Sequence, residues 1–129
     1  MKKLSIVAAV VCTMLAPLWS SPAAAQFAKP QDAIKYRQSA LTLMASHFGR
    51  MQPVMRGQAP YDAAQIKANV DIFKTLSTLP WAAFGPGTEG GDALPAVWSD
   101  AEDFKQKQQR LADNVAKLSA AADAGDYDK

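Results

Sequence analysis

The chain has 129 residues, with 14 basic and 12 acidic side chains, one histidine and one cysteine. Without Lys2, Lys3 and the rest of the first 25 residues, 12 basic side chains balance 12 acidic ones over 104 residues. A near-neutral chain with no basic stripe lacks the electrostatic footprint of a nucleic-acid binder, and that length makes one small domain with a modest core.

The first 25 residues read as an export signal. Lys2 and Lys3 precede an apolar stretch from Leu4 to Leu18, and Ala23-Ala24-Ala25 supplies the small side chains that a signal peptidase accepts. The stretch contains Pro17, is soon followed by Pro22, and is too short for a comfortable membrane span. Residues 1–25 are therefore predicted to be removed, leaving a domain of residues 26–129 with no membrane attachment. Cys12 follows Val10 and Val11 inside the apolar run and is expected to leave with it. Residues 26–129 then hold no cysteine, which excludes a structural disulfide, a thiolate metal site and a cysteine nucleophile from that part of the chain.

Three helical segments follow. The first is predicted from Pro30 to Arg56, with Pro30 suited to the first turn and Asp32 placed at the positive end of the helix dipole. Ile34, Leu41, Phe48 and Met55 recur every seven residues, a bundle-type seam with Ala45 and Arg37 or Gln38 on the row between. Pro53 predicts a bend near the end, and Gly57 a stop. The second segment starts at Asp62 and ends before Pro80. Asp62 and Gln65 form a capping-box pattern, and Ile66, Val70, Phe73 and Leu76 supply the apolar face. The third starts at Ser99, capped with Glu102 in the same pattern, and ends near Gly125. Its stripe is Ala101, Phe104, Gln108, Leu111, Val115, Leu118 and Ala122.

Between the second and third segments, Pro80 to Pro95 carries Trp81, Phe84, Pro86 and four glycines. It is longer than a helical hairpin needs, and reads equally as a functional loop or as a crossover that caps the bundle. After Gly125, Asp126 and Asp128 look like the opening of another helix. Three seams of this width leave an apolar groove, a patch that monomeric proteins rarely expose. The expectation is a partner in the groove or a chain cut short.

Three stretches resemble the cytochrome c prime family. They are Lys35-Tyr36-Arg37-Gln38-Ser39-Ala40-Leu41-Thr42-Leu43-Met44, then Leu79-Pro80-Trp81-Ala82-Ala83-Phe84-Gly85-Pro86-Gly87-Thr88-Glu89-Gly90-Gly91-Asp92, and Trp98-Ser99-Asp100 with Phe104-Lys105-Gln106-Lys107-Gln108-Gln109. The resemblance covers essentially all of residues 26–129. It implies an all-α, antiparallel four-helix bundle, with only the first three helices present in this chain. It also implies a periplasmic location, a homodimer and a covalently bound haem c. In the family a fourth helix carries Cys-x-x-Cys-His, whose histidine is the only protein ligand to iron. That motif is absent from these residues, so the chain is expected to be truncated before that helix and to hold no metal ligand of its own.

The resemblance further implies a pocket. Arg37 and Gln38 are expected near the haem propionates, with Asp92 closing the same region. Their polarity on or beside the inner seam marks them independently, although a seam residue that fixes helix register is the competing reading. Leu41 resembles the residue covering the open face of the iron. Lacking a lone pair, it would leave iron five-coordinate and accessible to small gases such as nitric oxide or carbon monoxide. Trp81, Phe84 and Phe104 resemble pocket walls, and ordinary core packing is the competing reading for each. His47 is predicted at the helix edge because Phe48 takes the core position, and Met44 is read as core filler rather than as an iron ligand. The implied activity is electron transfer or gas binding, with no enzymatic role, since no nucleophile–base pair or carboxylate dyad is recognisable. The redox partner is unidentified. The alternative is a haem-free exported module that fills its groove with a partner helix.

Overall fold

The computed structural model describes residues 26–125 and 127. The predicted signal peptide with Cys12, and the helix opening read at Asp126 and Asp128, lie outside the described residues. Within them the regular structure is helical, and no strand forms. Helix α1 spans Pro30–Met55, α2 Ala63–Leu76, a 3₁₀ turn Pro80–Phe84, the short α3 Ala96–Ser99, and α4 Ala101–Ala124.

The helix boundaries follow local chemistry. Pro30 opens α1, where a missing N–H costs nothing, with Asp32 in the first turn. After Met55, Gly57 adopts a left-handed φ of 67° and its N–H reaches the Val54 carbonyl, which stops the helix. Asp62 caps α2 by accepting the Gln65 N–H at 3.0 Å. The predicted cap of the last helix is corrected by one residue. Asp100, not Ser99, accepts the Asp103 N–H at 3.3 Å, and Ser99 ends α3. Gly125 at φ 65° closes α4.

Two layers of side chains bind the three long helices together. Met44, Phe73 and Val115 form one layer, and Met51, Val70 and Ala122 the other. Each layer takes one residue from α1, α2 and α4. Going from the first layer to the second, numbering rises on α1 and α4 and falls on α2. The long helices α1 and α4 therefore run parallel, and α2 runs antiparallel to both.

The predicted seam on α1 is also corrected. The buried row is Ala33, Ile34, Arg37, Ala40, Met44, Met51 and Val54. Of the seven-residue row, Ile34 is buried and Phe48 half-buried, whereas Leu41 is 39% and Met55 64% exposed. At about 100° per residue, that row lies roughly 40–60° around the helix from the Arg37–Met44 line. Phe48 and Met55 instead help to line an apolar groove of about 930 Å³, with Leu118 and Ala121 of α4 on its other side. Leu41 continues the row one heptad nearer the helix start. On α4 the predicted stripe holds in part: Val115 and Ala122 are buried, Phe104, Gln108, Leu111 and Leu118 half-buried, and Ala101 exposed.

Candidate functional site

The chemistry-bearing residues gather where the start of α1 meets the 3₁₀ turn, the following loop and the start of α4. At their centre is Arg37, only 2% exposed. Its Nη1 donates to the carbonyls of Ala83 at 2.9 Å and Thr88 at 2.7 Å, and its Nη2 to that of Gly90 at 2.7 Å. The guanidinium lies 4.7 Å from the Phe84 ring centre and 5.3 Å from that of Trp98. Burial pulls its pKa below the ordinary arginine value, and the nearby charge of Glu89 opposes that shift.

The loop itself is built on glycines. Gly87, Gly90 and Gly91 all have positive φ. At Gly91 a Cβ would sit tightly, 3.0 Å from Ile34 Cγ2 and 3.2 Å from Gln38 Nε2, on backbone whose φ of 62° L side chains rarely adopt. The loop thus lies directly against α1. Thr88 ties it internally by donating its hydroxyl to the Gly85 carbonyl at 2.7 Å. Trp98 donates its indole N–H to the same carbonyl at 3.1 Å.

Four aromatic rings form the wall. Phe84 is 5.0 Å from Phe104 and 6.2 Å from both Trp81 and Trp98, and Trp81 is 6.0 Å from Phe104. All four rings are half-buried. Trp81 is held by its indole N–H, which donates to the Ser77 carbonyl at 2.6 Å.

Of the predicted site residues, Arg37, Trp81, Phe84 and Phe104 come together directly. Gln38 and Asp92 form an exposed pair, Nε2 to Oδ2 at 3.3 Å, on the solvent side of the same loop. Leu41 lies one turn along α1 from Arg37 and is partly exposed. Met44 is in the core layer and 6% exposed. His47 is half-buried and shares a hydrogen bond of 3.1 Å with the Asn69 side-chain oxygen, on α2. Sequence reasoning missed Thr88 and Trp98 as partners of Arg37, because nothing in their spacing places a loop carbonyl or an indole over α1.

This arrangement fits a flat apolar cofactor with carboxylates at one edge. Half-buried rings and Leu41 offer apolar faces. Arginine has five N–H donors, and Nε is not among those spent on the loop. Among the described residues, no group of three or more His, Cys, Asp or Glu side chains is placed to hold a metal ion.

Comparison with known proteins gives a consistent result. Residues 32–129 match the family model described as Cytochrome C′. The cytochrome c′ of Alcaligenes xylosoxydans xylosoxydans is 81% identical over 104 residues, covering 81% of this chain and 82% of that protein. The cytochrome c′ of Rubrivivax gelatinosus is 52% identical over 105 residues, covering 79% and 81%. Among solved structures, the nitric oxide complex of a leucine-to-valine variant of Alcaligenes xylosoxidans cytochrome c prime has a TM-score of 0.77 at 79% identity, covering 80% of this chain and 82% of that one.

Proposed function

The chain belongs to the cytochrome c′ family, and from that premise we propose that it forms part of a periplasmic c-type haem protein that transfers electrons or binds small gases. The observation that carries the reading is the wall of Trp81, Phe84 and Phe104 beside the buried Arg37, with the exposed Leu41 one turn further along α1. When bound, haem supplies an iron centre that exchanges one electron and can take a diatomic ligand such as nitric oxide or carbon monoxide.

The chain's own residues do the rest. Trp81, Phe84 and Phe104 would hold a bound haem by their apolar surface and exclude water from it, which keeps the local dielectric low. Leu41 would cover the ligand face of a bound haem with hydrocarbon, which offers the metal no lone pair and leaves room for small ligands only. Gln38 with Asp92, the exposed pair, would meet the propionate edge, with Arg37 buried behind them. Cys-x-x-Cys-His does not occur in these 129 residues, so covalent attachment and the axial histidine are not assigned to any of them. The role is electron transfer or gas binding rather than catalysis. Residues 1–25 serve as a cleavable signal peptide, and the exported protein works as a homodimer. Among the described residues no helix is long and apolar enough to cross a membrane.

The test is the absorbance spectrum of the full-length gene product recovered from the periplasm. A Soret band of five-coordinate type that shifts when carbon monoxide is added to the reduced protein is the expected result. Absence of a Soret band would overturn the haem reading in favour of a haem-free module, and a six-coordinate spectrum indifferent to carbon monoxide would overturn the gas-binding part.

A further inference from the structure

Arg37 is the one charged side chain buried among the described residues, and buried charges are usually paired with an opposite charge. Arg37 is not. The ion pairs among the described residues belong to Lys67 and Lys107, whereas every acceptor of Arg37 is neutral. The three carbonyls it gathers, from Ala83, Thr88 and Gly90, fall within eight consecutive residues. Those residues include Gly87 and Gly90, whose positive φ values mark backbone with little preference of its own. The cation thus spends its hydrogen bonds on peptide groups of one loop.

What the loop carries explains the arrangement. Phe84 directly follows Ala83, and the Trp98 indole hangs on Gly85, the next residue along. Both rings present a face to the guanidinium, a favourable placement for a cation. Phe84 in turn packs at 5.0 Å on Phe104. A planar fork reaches several acceptors at fixed angles, which the single nitrogen of a lysine does not reproduce.

We infer that Arg37 is a positioning residue for the pocket wall: its fork gathers the carbonyls of Ala83, Thr88 and Gly90, and so holds the rings of Phe84 and Trp98 in register with Phe104. The inference rests on the haem reading only for what the wall faces, not for the clamp itself. It sets a fork requirement apart from a charge requirement, because lysine keeps the charge and loses the geometry.

The experiment compares the full-length haem-loaded protein with its Arg37→Lys and Arg37→Gln variants. Hydrogen exchange over residues 85–92 is measured together with the midpoint potential. Both variants should exchange at least tenfold faster across that loop, while exchange in the Met44–Phe73–Val115 layer stays unchanged. Both should also have a lower potential, since a loosened wall admits water and favours the more highly charged oxidised iron. Wild-type exchange and potential in Arg37→Lys would overturn the proposal, because charge alone would then suffice. So would loop exchange within twofold of wild type in Arg37→Gln. If Arg37→Gln does not fold, Arg37→Lys decides the question by the same two readouts. Loop exchange requires no haem, so a product without haem refutes the functional reading while the exchange result still decides the clamp.

Discussion

Leu41 and Met44 lie one turn apart on α1 and should respond oppositely to truncation. Met44 is 6% exposed, inside the layer with Phe73 and Val115. Met44→Ala removes a buried side chain that all three long helices pack around, and should cost about 2–5 kcal/mol. Leu41 is 39% exposed. Its truncation removes roughly three methylene equivalents at about 0.8 kcal/mol each when fully buried. Scaled to the buried three fifths, that is about 1.5 kcal/mol for the contacts within the chain. For a domain of this size the Leu41→Ala loss corresponds to a fall in melting temperature of about 6–12 °C. Function should rank the other way. Leu41→Ala removes the hydrocarbon cover and should raise carbon monoxide affinity, whereas Met44→Ala leaves that face unchanged. The assay is thermal unfolding by circular dichroism plus carbon monoxide titration of the reduced haem-loaded protein. Equal affinity in all three proteins, or a larger stability loss for Leu41→Ala than for Met44→Ala, would refute the assignment of α1's faces.

Two further outcomes follow from the loop and the cap. Asp100→Ala should destabilise by about 0.5–2 kcal/mol through the lost N-cap of α4, and Ser99→Ala by clearly less; denaturant unfolding of the two variants decides, and the reverse order would restore Ser99 as the cap. Gly91→Ala places a Cβ 3.0 Å from Ile34 at a φ of 62°, so it should increase protease cleavage within residues 85–92, and unchanged cleavage kinetics would show that the loop does not press on α1.

The helices were legible wherever a local rule applies. Asp62 with Gln65, Pro30, Gly57 and Gly125 act within a few residues of their own positions, and each does in the structure what its chemistry predicts. The start of α4 was misplaced because Ser99 and Asp100 both offer a capping oxygen. The choice falls to Trp98, whose indole bond to Gly85 holds residues 96–99 on the loop as a separate turn. The α1 seam was misplaced for a related reason. A seven-residue repeat defines a row of side chains, but not how far the helix is rotated about its axis.

The residue pattern by itself determined three long helices, all their ends but the start of α4, the aromatic loop and the family resemblance, because these depend on hydrogen bonds and periodicities only a few residues long. Only the tertiary structure decided which face of α1 is buried, and that Arg37 spends its donors on loop carbonyls 46 to 53 residues away. Rotation and long-range partners are set by the packing of α1 against α2 and the 3₁₀ turn. That packing depends on the shapes of all the side chains at once, and no single stretch of sequence records it.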